Sequence, residues 1–387
     1  MNLTNRLLAA SVSLGLIVIL IISRFIAKHV ESRKKAVSLT PKDESDSPLT
    51  QSPINAVRSM SGLNIAKVKA DSHPNFLGRL TGYHDKVATV SCFLPKTSAK
   101  IRSFICSLTE RGELRLWIDV LTTTQRHSRV MLDHPEPSML ELSDNGFFAF
   151  VAGYRDLMCV DLRAVAKQQD NHVVWHMHHF TPSFIVDISA TDDYIAVACS
   201  TCILVVERET SRVVLEEKAP HLEIGAMKLT KVHGRTYLLI GSPSGEVELF
   251  SISTTHGAHV CTFVALLHTF NTGVKMFDLK NSTFAAISYA ADVCVWNMDV
   301  ELHYNERPKC VLDRSDHSNS EIANIRISPD EQKLAMGMNR EVQILQIDTS
   351  HVVNELSNIP AYNVQWFGND MLLAYEAEKR VNIFSTN

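Results

Sequence analysis

The sequence lacks every short motif that would announce a reaction. It has no G-x-x-x-x-G-K-[ST] loop, no H-E-x-x-H pair and no glycine-rich turn between a strand and a helix. The common phosphate-cradling and zinc-protease chemistries are thereby excluded. Gly241-Ser242-Pro243-Ser244-Gly245 has the glycine spacing of a nucleophile elbow, but it lies between two strand-like runs and reads as a tight β-turn. Asp144, Asp192 and Asp193 read as turn carboxylates rather than a paired acid and base. Aromatic side chains make up only 7% and glycines number 15 in 387 residues, which leaves an ordinary globular composition. Long amphipathic helical periodicity is missing as well.

Metal-ligand spacing is equally sparse. Cys92, Cys106, Cys159, Cys199, Cys202, Cys261, Cys294 and Cys310 are scattered through the body, several within apolar runs, as suits buried thiols in a reducing compartment. Cys199 and Cys202 form a lone C-x-x-C with no second pair, so a turn is expected there. His176, His178 and His179 crowd one short stretch, and His176 and His178, two apart, would share a strand face, but no Cys or carboxylate lies nearby in sequence. The reading therefore assigns no catalytic residue, no cofactor and no metal ligand.

Charge is unevenly placed. Residues 1–75 carry 10 Lys+Arg against 5 Asp+Glu, whereas the rest carries 28 against 37. An acidic body argues against nucleic-acid binding. The basic part follows residues 7–23, LLAASVSLGLIVILIIS, which hold no charge and as a helix span roughly 25 Å, enough for a thin bilayer. With no small-x-small cleavage site behind it, this run reads as a retained membrane anchor over residues 1–27. Lys28, Arg33, Lys34 and Lys35 on its far side place the body in the cytosol and favour anionic lipid. A flexible basic, then Ser/Pro-rich linker is expected over residues 28–73, with Thr40-Pro41, Ser47-Pro48 and Ser52-Pro53 as acceptors for proline-directed phosphorylation.

From residue 74 the texture becomes short apolar runs separated by turn residues, the pattern of an all-β chain. One strand recurs as ELRLW, LMCVD, CILVV, EVELF, DVCVW, VQILQ and RVNIF; measured between Trp117, Asp161, Val206, Phe250, Trp296, Leu345 and Phe384, successive separations are 44, 45, 44, 46, 49 and 39 residues. Each copy follows a second apolar strand and a tight turn. Several are preceded by a turn such as Ser143-Asp144-Asn145-Gly146 or Ser328-Pro329-Asp330-Glu331. Seven units of this length predict a seven-bladed WD40-type β-propeller over residues 74–387. The last repeat strand ends near the end of the sequence, so the seventh blade is expected to borrow its outer strand from around residues 75–80. Trp-Asp dipeptides survive only as Trp117-Ile118 and Trp296-Asn297, and the Gly-His opening only as Gly82-Tyr83-His84-Asp85. Apolar packing, rather than a buried His/Ser/Asp network, is therefore expected to hold the blades together.

The order of anchor, basic and Ser/Pro-rich tether, and propeller resembles the transducin beta-like protein 2 family of endoplasmic-reticulum membrane WD-repeat proteins. Trp296-Asn297-Met298-Asp299-Val300-Glu301 with the following HYNERPK run, and residues 76–85, are similar to the corresponding family segments. The eroded Trp-Asp dipeptides and the lack of a charged tail are departures from it. The resemblance implies a non-enzymatic adaptor on the cytosolic face of the endoplasmic reticulum. It also implies association with protein partners, the stress-activated translation-factor kinase of the unfolded-protein response among them. A membrane-bound exchange factor for a small GTPase of vesicle budding is the alternative, although such propellers carry the anchor after the propeller. The family's partner-contacting residues have no one-to-one match here, so the binding residues are unknown from sequence, and no small-molecule substrate is expected.

Overall fold

The computed structural model describes residues 73–95, 103–118, 120, 126–218, 226–255, 258–298, 308–312, 322–338, 341–357, 359, 361, 363–375 and 379–386. The anchor, the three Ser/Thr-Pro sites and all but the last residue of the linker lie outside them. Among the described residues no helix is long and apolar enough to cross a membrane.

Among the described residues, twenty-eight strands form seven four-stranded antiparallel sheets. The first strand, β1 (Phe76–Leu80), stands apart from its neighbours in sequence. Blade 1 is β2 (Val87–Phe93), β3 (Phe104–Thr109), β4 (Glu113–Trp117) and β5 (His127–Met131). Blade 2 is β6 (Met139–Leu142), β7 (Phe148–Gly153), β8 (Asp156–Asp161) and β9 (Val173–Met177), with a short helix α1 (Leu162–Ala166) between the last two. Blade 3 is β10 (Ile185–Ala190), β11 (Tyr194–Cys199), β12 (Cys202–Glu207) and β13 (Val213–Lys218), and blade 4 is β14 (Ala226–Val232), β15 (Arg235–Gly241), β16 (Glu246–Thr255) and β17 (Ala258–His268). Blade 5 is β18 (Val274–Lys280), β19 (Thr283–Ser288), β20 (Val293–Asn297) and β21 (Cys310–Leu312), and blade 6 is β22 (Ile322–Ile327), β23 (Lys333–Met338), β24 (Glu341–Gln346) and β25 (His351–Ser357). Blade 7 is β26 (Asn363–Trp366), β27 (Met371–Tyr375) and β28 (Val381–Ser385), completed on its outside by β1.

The recurring sequence strand is the third strand of every blade, and the apolar run before it is the second. Both are largely apolar because a middle strand packs on its two faces, although third strands such as β24 and β28 keep polar residues at half-buried positions. In β7, Ala149 and Val151 pack toward blade 1, while Phe150 and Ala152 pack toward blade 3. Seven apolar clusters result, one at each junction of adjacent blades. The core is thus a ring of interfaces rather than one centre, and the first strands of neighbouring blades meet all the way round.

The borrowed strand is where the sequence places it. β1 runs antiparallel to β28, with Leu80 opposite Val381 and Arg79 opposite Asn382. Arg79 Nε donates to Asn382 Oδ1 at 2.9 Å, and Phe76 sets its ring edge against Phe384, centroids 5.8 Å apart. Leu80 is fully buried with Val381, Ile383, Tyr83 and Trp117, at the junction of blades 7 and 1.

Polar bonds contribute more than the sequence suggests. Blade 1 keeps a buried network in which Tyr83 Oη and Trp117 Nε1 both donate to Ser107 Oγ, at 2.8 and 2.9 Å. Tyr83 thus stands where the repeat pattern would put histidine. Three inner-strand amides find acceptors on the preceding blade: Leu229 donates to Ser189 Oγ, Ile327 to Asp278 Oδ2 and Val90 to Tyr375 Oη. The turn carboxylates bridge blades too. Asp192 accepts from the Asn145 amide at 2.8 Å, Asp193 from Lys231 Nζ at 2.6 Å, and Glu331 from Asn281, Ser282 and Thr283 of blade 5. Apolar packing still forms the interfaces, but these bonds set their register, because unpaired polar groups at a buried seam are costly.

Candidate functional site

Blade 2 gathers the histidines that the sequence leaves without a partner. Its third and fourth strands pair Met158 with His176 and Leu157 with Met177. Continuing that ladder by one step puts Asp156 opposite His178, and the period of two puts Asp156, His176 and His178 on one face. Asp156 is fully buried at the mouth of the β7–β8 turn. Its Oδ2 lies 3.2 Å from His178 Nδ1 and 3.5 Å from His176 Nε2. Its Oδ1 accepts the His179 amide at 2.8 Å, a bond made possible by the left-handed turn at His179, φ 46°.

His134, in the segment joining blades 1 and 2, completes the group. Its ring stacks on His176, centroids 5.5 Å apart at 16°, and His176 in turn lies 3.6 Å from His178. His134 Nδ1 faces the Pro135 carbonyl at 2.9 Å, which places the proton on Nδ1 and the lone pair on Nε2. That Nε2 and His176 Nε2 are both buried and have no hydrogen-bond partner.

Charge follows from this geometry. Burial alone would raise the Asp156 carboxyl, yet the His179 amide and the His178 ring outweigh it and hold the group below the ordinary carboxylate value. Burial pushes His176 down, as do the neighbouring His178 and His134 rings, and burial likewise pushes His134 down. The surroundings thus favour the charged form of Asp156 and the uncharged form of His176 and His134.

Beside it the same turns expose an apolar patch. Tyr154 and Phe184 meet edge to face at 5.0 Å, Tyr154 also contacts the His179 ring at 6.1 Å, and the two aromatics are 40% and 45% exposed. Val186 nearby is 50% exposed. The patch is firmly built: Arg155 Nε donates to the Thr181 carbonyl at 2.7 Å, and the Ile185 amide donates to the Tyr154 carbonyl at 2.8 Å.

The inner strands carry a second polar group. Lys228 Nζ lies 3.7 Å from Asp278 Oδ1, and Arg326 Nε donates to Gln365 Oε1 at 3.1 Å. Asp187 is pushed up to about 7, first by burial and then by Glu141, against the pull of Arg326 and Lys228. Cations thus face the carboxylates here, but at Asp187 burial and Glu141 outweigh them. A third group, Thr254, His259 and Glu207, has the order hydroxyl, imidazole, carboxylate. His259 Nε2 stands 3.5 Å from Glu207, and its Nδ1 is shared by Thr254 and Tyr194, so the set ties the β16–β17 hairpin to blade 3.

The remaining sequence candidates behave as turns. Cys199 and Cys202 are buried free thiols on either side of the β11–β12 turn, and burial together with Cys202 pushes Cys199 up to about 12. Gly241 to Gly245 is the β15–β16 turn, in which Ser242 Oγ bonds Ser244 Oγ at 2.7 Å. What sequence reasoning missed is Asp156, twenty positions before His176. The signal that finds it is the β8–β9 register, which the helix between those strands hides from the repeat spacing.

No family model matches the chain, and no curated protein does. Solved structures do. The WD40 β-propeller domain of Doa1 is similar over 81% of this chain and 97% of its own, at 14% identity and a TM-score of 0.57. The β-propeller domain of Cps50 (Swd1) from Myceliophteria thermophila is similar over 80% of this chain and 100% of its own, at 12% identity and a TM-score of 0.62. At such identities the likeness speaks for the backbone alone, and with the seven sheets and the borrowed closing strand it gives the fold: a seven-bladed β-propeller similar to those of WD40 domains.

Proposed function

We propose that the chain is a non-enzymatic scaffold that presents the turns of blades 2 and 3 to protein partners. The observation that carries this is the exposed Tyr154–Phe184 pair with Val186, rimmed by His178 and His179 and braced by Arg155. Apolar aromatics held rigid and rimmed by polar groups are the composition of an interaction hot spot. The propeller fold of the similar structures supports a binding rather than a catalytic role.

Residues 1–27 hold this propeller on the cytosolic face of the endoplasmic reticulum, a placement that rests on the sequence: an uncharged run followed by Lys28, Arg33, Lys34 and Lys35. The family resemblance makes the stress-activated translation-factor kinase of that membrane the first partner to try. Proximity labelling by the full chain in cells tests the reading. Truncating both aromatics, Tyr154→Ala with Phe184→Ala, is expected to remove about 2 kcal/mol or more of partner binding and to empty the label set without moving the protein from the membrane. An unchanged set overturns the docking face. Accelerated nucleotide release from a vesicle-budding GTPase overturns the scaffold in favour of exchange.

A further inference from the structure

We propose that Asp156, His176 and His178 form a binding site for a divalent transition metal ion, with Zn²⁺ as its natural occupant. The inference stands apart from the docking reading, since it concerns ion binding and not a partner.

The donor atoms are already at metal-site spacing. Ligands bound to zinc at about 2.0–2.1 Å in a tetrahedron stand about 3.3 Å from one another. The Asp156 Oδ2 atom lies 3.2 Å from His178 Nδ1 and 3.5 Å from His176 Nε2, and all three donor atoms fall within 4.8 Å of one another. An ion seated among them needs little rearrangement. Imidazole nitrogen with a carboxylate oxygen is a donor set for zinc and its neighbours in the first transition row, not for calcium or magnesium.

The unbound arrangement also leaves atoms that want a cation. His176 Nε2 is buried without a hydrogen-bond partner, although a carboxylate oxygen is only 3.5 Å away. His134 is more than nine-tenths buried, and its Nε2 lone pair meets no donor either. Its Nδ1 is held by a main-chain carbonyl, the outer contact that fixes the tautomer of metal-binding imidazoles. Two orphaned nitrogens beside one buried carboxylate are difficult to explain as packing, because such groups are normally satisfied. A hydrogen-bonded remnant of the repeat's polar network would leave neither nitrogen orphaned.

Binding turns the His178 Nδ1 lone pair toward the ion, which leaves the ring proton on Nε2. His178 is 63% exposed along its side chain, so that nitrogen can bond water. The same exposure leaves room for a water molecule as fourth ligand. The ion would tie the segment after β9 to the β7–β8 turn, and so fix His178, His179 and Tyr154 relative to one another.

The test is a zinc titration of the metal-stripped full chain in detergent, read by calorimetry and by competition with a chromophoric chelator. One equivalent is expected to bind and to raise the melting temperature. His178→Ala, at an exposed position that leaves the fold intact, is expected to weaken binding by more than about tenfold, the least that loss of a partner brings at such sites. Asp156→Asn is expected to abolish it, and His172→Ala, a half-buried histidine elsewhere in blade 2, to leave it unchanged. Failure of the wild-type chain to take up one equivalent overturns the proposal. So does equal affinity in wild type and His178→Ala, or binding that survives His178→Ala but disappears in Cys199→Ser with Cys202→Ser, since that would give the ion to the thiols.

Discussion

Closure of the ring by β1 makes a prediction that two neighbouring leucines can decide. Leu80 is fully buried between blades 7 and 1, against Val381, Ile383, Tyr83 and Trp117, whereas Leu77, three residues earlier in the same strand, is 48% exposed. Leu80→Ala removes buried methyl groups and leaves a void in a seam that the ladder to β28 keeps from collapsing, a loss of about 3 kcal/mol. The propeller has about 315 residues and an unfolding entropy near 2.1 cal/mol/K per residue, so that loss lowers the melting temperature by about 4–5 °C. Leu77→Ala costs under about 0.5 kcal/mol and moves it by less than about 1 °C. Differential scanning calorimetry of the two variants measures both. Deletion of residues 74–80 goes further, since it bares the edge of β28, and is expected to abolish the single cooperative melt and bring aggregation. Equal shifts for the two leucines, or a deletion variant that melts like the parent, would refute the closing role of β1.

Three further outcomes follow from the same structure. Arg115 is buried, paired with Glu113 at 2.9 Å, bonded to the Gly82 carbonyl at 2.6 Å and placed over the Tyr83 ring at 4.5 Å. Arg115→Ala should therefore cost about 3–5 kcal/mol in urea unfolding by stranding Glu113, while Arg115→Leu with Glu113→Gln recovers most of it; a single-variant loss below about 1 kcal/mol contradicts the pairing. Asp187 titrates near about 7 when folded against 3.8 for the free group. Over that window the folded chain holds a proton the unfolded chain has shed, so Asp187 makes stability fall as pH rises from about 4 to about 7, with no further change above. Chemical unfolding across pH should show Asp187→Asn losing that component, and an identical profile in the variant would place the raised group elsewhere. Gly245 has φ +92° and lies so close to the Phe270 carbonyl that a Cβ would sit 2.1 Å from it, whereas Gly234, φ +79°, has open space around it. Gly234→Ala is expected to cost about 1 kcal/mol for the left-handed backbone alone, and Gly245→Ala clearly more; the reverse order in thermal unfolding would refute the close approach.

How much of this was legible in the sequence depended on which strand carried the signal. The second and third strands of each blade announce themselves, because burial on two faces makes them unbroken apolar runs such as FICSLT and DLMCVD. The fourth strands do not. One face of β9 or β25 is exposed, and Val173, Val174, Val352 and Val353 sit there among polar residues with no repeated pattern. Since His176 lies on such a fourth strand and His178 just beyond it, their neighbour could be found only through the register to β8. The polar network of blade 1 escaped for a different reason: Tyr83 does the hydrogen bonding of a histidine, which a search for the histidine cannot see.

That division also explains where chemistry can exist in this fold. Side chains of the middle strands are consumed by two interfaces each, so almost none is free to meet a ligand. The strand ends, the turns, the inner strands and the exposed face of the fourth strands escape this demand. Asp156 is the first residue of its strand, His178 and Tyr154 lie in turns, and Asp187 lies on an inner strand. A carboxylate placed one position later, at Leu157, would be buried in the junction with blade 3 and would break it. A buried charge such as Asp156 is tolerated at its strand's first position because a turn amide and the imidazoles across the ladder reach it, just as Arg115 in mid-strand is held by Glu113 and the Gly82 carbonyl.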